Sequence, residues 1–200
     1  MKRDDILKLG VFLALAALGL TIWVGAHGTP LPGDVWLTEH VQELGRLRDN
    51  AGFINGIQDW QWLFFVAALV LVLVRKRLGA GRTAENLRRE ALGAFAGAVL
   101  LRFGDQLLKE IVRSPRPIAS IHVHVDGFSN GFGFPSGHVY GGLLIYGVLG
   151  VMATAYLSPR LALVARVLVV ALIVLSGPAR VAVGAHWPSD TAGGYLWGGA

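Results

Sequence analysis

The sequence predicts an all-α fold: a polytopic bundle of transmembrane helices with about six spans, forming one membrane-embedded domain over residues 1–200. Three observations carry this expectation. Hydrophobic residues make up 54% of the chain and charged ones 16%, against about 25% charge in an ordinary soluble domain. Mean hydropathy is +0.54. The apolar residues come in runs close to the roughly 20 residues a helix needs to cross a bilayer, with short polar stretches between them.

Charge and cysteine usage exclude several classes. No cysteine is present, so neither a disulfide framework nor a thiolate metal site can form. The net charge of +5 is gathered rather than spread. Arg75, Lys76, Arg77, Arg82, Arg88 and Arg89 fall in one short loop between apolar runs, with Glu85 and Glu90 among them and no aromatic residue to stack on a base. Such a loop marks the cytoplasmic side of a membrane protein, and no nucleic-acid partner is expected.

The elements follow in order. The first span covers residues 6–26, lacks a clean cleavage pattern and follows Lys2 and Arg3, which places the N-terminus on the cytoplasmic side. Residues 27–59 are mixed. Pro30, Pro32 and Gly33 mark a turn, and Val35, Leu37, Val41, Leu44 and Leu47 recur at near-helical spacing. That segment reads either as an amphipathic helix at the interface or as a connecting loop. The second span, 60–75, has Trp60, Trp62, Phe64 and Phe65 at one end and Arg75 at the other, in the manner of interface anchors. The third covers 91–109 and the fourth 138–157. A Ser158-Pro159-Arg160 turn leads to the fifth, 161–175.

A sixth span begins near Thr191. The ten residues to Ala200, at about 1.5 Å rise each, do not reach across a bilayer, so this span is expected to be truncated. Gly93 and Gly97, and Gly137 and Gly141, recur four apart, as small residues do where membrane helices pack closely. With the N-terminus inside, segments 27–59, 113–137 and 178–190 share the outer side.

Three polar motifs fall in those segments or at their edges. Arg102, Asp105 and Lys109 share one face of the third span. Pairing among Arg102, Asp105 and Lys109 would satisfy charges that are costly in a membrane, while Lys109 stands at the outer end. Pro115 and Pro117 then leave Arg116 on a stiff turn, with a guanidinium fork suited to phosphate oxygens. Next, Phe134-Pro135-Ser136-Gly137-His138 starts the fourth span. Ser136 reads as an N-cap, Gly137 clears the approach, and the free amides of a helix start favour an anion. His138 beside that anion is placed to give a proton to a leaving oxygen. Third come Arg180, His186 and Asp190. If Pro188 opens the sixth helix, Asp190 can hold one nitrogen of His186 and leave the other as a nucleophile.

These motifs resemble those of the type 2 phosphatidic acid phosphatase superfamily, which also includes vanadium haloperoxidases. That pattern is lysine, six residues, Arg-Pro; then Pro-Ser-Gly-His; then Ser-Arg, five residues, histidine, three residues, aspartate. All three are matched here in order, except that Ala179 stands where serine is common. The resemblance implies that Lys109, Arg116, Ser136, Gly137 and Arg180 bind phosphate. It implies that His186, oriented by Asp190, attacks phosphorus to form a phosphohistidine, and that His138 protonates the leaving group. No metal or other cofactor is implied, and a metal pair of His122 and His124 is not expected.

The resulting expectation is a membrane lipid phosphatase acting on a lipid phosphate or pyrophosphate at the outer face of a bacterial cytoplasmic membrane. Undecaprenyl pyrophosphate is the first candidate, followed by phosphatidic acid and phosphatidylglycerol phosphate. The alternatives are a lipid phosphotransferase and a non-enzymatic lipid or anion transporter. Oligomeric state is not legible, and the loop 118–134 is expected to set headgroup preference.

Overall fold

The structure is a computed structural model that describes residues 3–75, 89, 92–93, 95–99, 103–120, 123–126 and 130–200. Among these residues the regular elements are helices: α1 (Arg3–His27), α2 (Asp34–Glu43), α3 (Gly45–Asp59), α4 (Gln61–Arg75), α5 (Gly104–Val112), α6 (Gly137–Tyr156), α7 (Pro159–Ala182) and α8 (Pro188–Gly199). Residues 92–93 and 95–99 are also helical. Lys76, Arg77, Arg82 and Arg88 of the basic loop, together with Arg102 and His122, lie outside the described residues.

Among the described residues three helices are long and apolar enough to cross a membrane: Arg3–His27, the first 18 residues of α6, and Pro159–Ala182. They correspond to the expected first, fourth and fifth spans. α1 shows the lipid-facing pattern plainly. Ile6, Leu7, Phe12, Leu15 and Ile22 are exposed, while Ala17 and Val24 are fully buried. In lipid an exposed leucine costs nothing, so the helices hold together through packing and a few hydrogen bonds rather than through apolar burial alone.

The segment 27–59 is neither a single amphipathic helix nor a plain loop. It forms two helices, broken at Leu44, whose φ/ψ of −73°/77° is not helical. α3 packs on α7 through Ala51, Ile54, Ala179 and Ala182. It also reaches α7 through polar groups: Asn55 donates to the Ala179 carbonyl at 3.3 Å and buried Gln58 to the Leu172 carbonyl at 3.2 Å.

The fifth span runs seven residues further than the sequence indicates, to Ala182 rather than 175. Pro178 lies inside it and cannot donate to the carbonyl four residues back. That carbonyl, Val174 O, instead lies 2.9 Å from the Tyr195 hydroxyl of α8. The same hydroxyl accepts from the Gly177 amide at 2.9 Å. With these groups satisfied, the helix continues and carries Arg180 on its last turn rather than in a loop.

Of the two expected glycine pairs, Gly93 and Gly97 show no close helix approach among the described residues, and the close contacts lie at the start of α6, which carries Gly137 and Gly141. A β-carbon added at Gly93 or Gly97 would meet nothing within 4 Å, whereas one at Gly194 would lie 2.9 Å from both the Ser136 carbonyl and Val139. α8 therefore presses its glycine face against the start of α6, and α1 packs on its other side. Trp197 donates to Thr21 at 2.9 Å across that contact. As a result the end of α3, the start of α6, the end of α7 and the start of α8 meet in one place.

Candidate active site

The site is built on helix ends. Pro188 occupies the first turn of α8, with Trp187 as N-cap. His186 immediately precedes the cap, and Asp190 sits in the first turn. Asp190 accepts from the Trp187 amide at 3.0 Å and lies 3.3 Å from His186 Nδ1 through the same oxygen, Oδ2. His186 is 2% exposed and Asp190 fully buried.

The other imidazole nitrogen settles the tautomer. Arg116 Nη1 stands 3.1 Å from His186 Nε2 and donates to the Ala185 carbonyl at 2.8 Å. A guanidinium has only donors, so Nε2 must present its lone pair. The proton then resides on Nδ1 and is donated to Asp190. Burial, followed by the charges of Arg116, Arg180, Lys109 and His138, holds the His186 pKa well below its usual value. Burial raises the Asp190 pKa, opposed by the Trp187 amide, Arg116 and Lys109, which favour the carboxylate that accepts from Nδ1–H. Geometry and burial thus agree on a neutral imidazole whose Nε2 lone pair faces the Arg116 guanidinium.

Ser136 caps α6 by position, with φ/ψ of −66°/112°, but its side chain makes no capping bond. Its amide donates to the Asp190 carbonyl oxygen at 2.9 Å, which ties the start of α6 to α8. Its hydroxyl is buried and has no protein partner, and the same holds for Arg116 Nε and Arg180 Nε. Buried donors without partners are rare in native proteins and costly. Among the described residues the fourth such donor is Trp187 Nε1; the other three belong to residues singled out as phosphate ligands. Gly133 explains its own place in the turn before Ser136, because a β-carbon there would stand 2.6 Å from Asp190 Oδ2.

Lys109 lies on α5, its ammonium 3.1 Å from Asp105 Oδ2, with side-chain exposures of 12% and 0%. The expected pairing of Asp105 is therefore present, and Lys109 is one of its partners. The Lys109 charge acts on both His186 and Asp190. α5 ends at Val112, where Arg113 adopts φ 52° and its amide bonds Lys109 O at 2.8 Å, so the helix stops before Pro115 is reached. Ser114 and Pro115 are held by Thr29, whose hydroxyl lies 2.5 Å from Ser114 Oγ and donates to the Pro115 carbonyl at 2.6 Å. That anchors the turn carrying Arg116.

The structure thus brings His186, Asp190, Arg116, Ser136, Gly137, His138 and Arg180 around one point, with the Lys109 charge reaching it. Two carboxylates were not singled out by the sequence. Asp59, the last residue of α3, lies 2.8 Å from His138 Nε2 and 3.3 Å from Arg180 Nη2 through one oxygen. Buried Asp34 accepts from the Leu31 amide at 2.7 Å and from both the amide and hydroxyl of Ser189, at 2.9 and 2.7 Å. It serves as a cap for α8 supplied by another helix. No spacing rule links residues so distant in sequence. His124 pairs with Asp126 at 2.5 Å and is remote from this cluster in its contacts.

The comparisons with known proteins give the chain's family and fold. The model of the PAP2 superfamily matches residues 90–200, more than half of the chain, and the chain belongs to that superfamily. Its structure is similar to the crystal structure of the first transmembrane PAP2-type phosphatidylglycerolphosphate phosphatase, from Bacillus subtilis. The TM-score is 0.72 at 21% identity, covering 94% of this chain and 90% of that one. Comparison with curated proteins gives no match. Family and fold support a phosphatase and an integral membrane protein.

Proposed function

We propose that this protein is a membrane lipid phosphatase that works through a phosphohistidine on His186. One observation carries the reading most strongly. The neutral His186 presents Nε2 to a space edged by Arg116, while Arg116 Nε, Arg180 Nε and Ser136 Oγ are buried donors with no protein partner. A phosphoryl group satisfies all of them at once.

In the proposed reaction Lys109, Arg116, Arg180, Ser136 and the amides of Gly137 and His138 hold the phosphoryl oxygens. Nε2 of His186 forms a bond to phosphorus as the bond to the leaving oxygen breaks. Asp190 accepts the hydrogen bond from Nδ1–H throughout and stabilises the charge that develops on the ring. His138 gives its proton to the leaving oxygen. Water then attacks the phosphohistidine, His138 takes a proton back, and inorganic phosphate leaves. Phosphoryl transfer needs positioning and charge stabilisation more than covalent help, and the three cations supply that without a metal. Helix ends at the edge of the bundle let a headgroup enter while its tail stays in lipid.

Undecaprenyl pyrophosphate remains the first candidate, with phosphatidic acid and phosphatidylglycerol phosphate beside it, at the outer face of a bacterial cytoplasmic membrane. The test is phosphate release from each lipid in detergent with EDTA present, comparing wild type with His186→Ala. Turnover in EDTA that the variant lacks is the expected result. Equal turnover by the variant overturns the nucleophile. A labelled lipid product in place of phosphate indicates a transferase, and transport that survives the variant without phosphate release indicates a transporter.

A further inference from the structure

We propose that Asp59 is a positioning residue for His138: it fixes the Nε2–H of that imidazole, so that Nδ1 becomes the atom that gives and takes the catalytic proton. This rests on the lipid-phosphatase reading above and adds a residue outside its three motifs.

The geometry is direct. Asp59 Oδ1 lies 2.8 Å from His138 Nε2. A carboxylate oxygen at that distance accepts, so Nε2 carries a proton whether the ring is neutral or charged. The proton that comes and goes must then sit on Nδ1. In the first step the imidazolium donates its Nδ1 proton to the leaving oxygen as the oxygen–phosphorus bond breaks. In the second, neutral His138 accepts a proton at Nδ1 from the water whose oxygen bonds phosphorus as the nitrogen–phosphorus bond breaks. Nε2–H stays on Asp59 through both steps, and the cycle closes with His138 again protonated.

The carboxylate is held rather than merely nearby. The last turns of α3 are pinned to the two helices that carry its partners. Tyr146 of α6 donates to the Ile57 carbonyl at 3.2 Å. Gln58 donates to Leu172 of α7, and Asn55 to Ala179, the residue before Arg180. Asp59 itself is 62% exposed at the rim, against 32% for His138 and 13% for Arg180. Its one oxygen also receives Arg180 Nη2 at 3.3 Å. The charged and titratable groups facing it are therefore His138 and Tyr146 from α6 and Arg180 from α7, and His186 faces His138 across the site.

Leaving-group chemistry separates this role from phosphate binding through Arg180. A lipid alkoxide needs a proton as it departs, whereas nitrophenolate departs without one. Wild type, Asp59→Ala, Asp59→Asn, His138→Ala and the double variant Asp59→Ala/His138→Ala are assayed on phosphatidic acid and on p-nitrophenyl phosphate. For Asp59→Ala on phosphatidic acid, kcat is expected to fall by about 10- to 100-fold, a part of the roughly 10²–10⁴ that a positioned acid–base group contributes. KM should change little, and the defect should shrink several-fold on p-nitrophenyl phosphate. Asp59→Asn, whose amide oxygen still accepts from Nε2–H, should recover part of the loss. In the His138→Ala background, removing Asp59 should cost little more. Equal losses in kcat/KM, which ends at leaving-group departure, on both substrates, a defect confined to KM, or full multiplication with His138→Ala would overturn the proposal. Wild type inactive on every lipid phosphate refutes the phosphatase reading itself, whereas active wild type with undiminished Asp59→Ala refutes only the role of Asp59.

Discussion

The site contains two imidazole–carboxylate pairs that share a chemistry and differ in surroundings. His186 and Asp190 are four residues apart, joined across the first turn of α8, and 2% and 0% exposed. His138 and Asp59 come from different helices, 79 residues apart, and are 32% and 62% exposed. In the first pair Arg116 stands against the free nitrogen, so the ring is neutral and offers a lone pair. In the second the partner carboxylate sits at the rim and shares its oxygen with Arg180. In the proposed reaction, burial and neighbouring cations suit one ring to attack phosphorus, while access to water suits the other to exchanging protons. Environments that separate two like groups are a common way for one site to hold both an attacking group and an acid.

The comparison breaks most sharply at the buried pair. His186→Ala should lower phosphate release by about 10⁴-fold or more, since it removes the proposed acceptor of the phosphoryl group. Release within tenfold of wild type would end the distinction between the two rings. Arg116→Lys comes next. Lysine keeps the charge but cannot hold the Ala185 carbonyl and a phosphoryl oxygen together through a planar fork. A loss of about 10- to 100-fold in kcat/KM is expected, in line with losing one or two charge-assisted hydrogen bonds. Wild-type kinetics in this variant would mean that the guanidinium fork is not used.

The pH profile sharpens the contrast. In the proposed reaction His186 acts as the neutral base form, and its folded-state pKa is depressed by burial and by the surrounding cations. Activity is therefore present above that pKa and lost as pH falls through it. The acid limb of log kcat/KM, measured on p-nitrophenyl phosphate, should lie below about pH 6.5, the usual imidazole value. An acid limb above 6.5 contradicts the assignment.

The smallest expected effect concerns packing. Gly194→Ala forces a methyl to within 2.9 Å of the Ser136 carbonyl and Val139, which overpacks the α6–α8 contact. A destabilisation of about 1–3 kcal/mol is expected, read as an earlier midpoint in detergent unfolding. Gly93→Ala, where a β-carbon meets nothing within 4 Å, is the control and should leave the midpoint unchanged. Equal midpoints for the two variants would remove the packing argument.

What was legible in the sequence follows from distance along the chain. Lys109 to Arg116, Pro135 to His138 and His186 to Asp190 are each fixed within one helix end or turn, so spacing alone recovers them. Hydropathy likewise located α1, α6 and most of α7. Asp59 was not legible, because its partners lie 79 and 121 residues away and nothing about a helix-ending aspartate names them. The extension of α7 past Pro178 was hidden for the same reason. It depends on a tyrosine 21 residues beyond Val174 that satisfies the carbonyl the proline leaves unpaired. The two short helices in 27–59 are stabilised by contacts to α7 and by Asp34 reaching Ser189, not by their own periodicity.

The most direct test of the central claim is to trap the phosphoryl enzyme. Wild type is mixed with lipid substrate carrying a labelled phosphoryl group, quenched in alkali during turnover, digested and mapped. The account predicts label on the imidazole of His186, stable to alkali, lost in acid and absent from His186→Ala. Label on His138 or another side chain, or turnover by wild type with no protein-bound label under conditions where hydrolysis of the intermediate limits the rate, would contradict it.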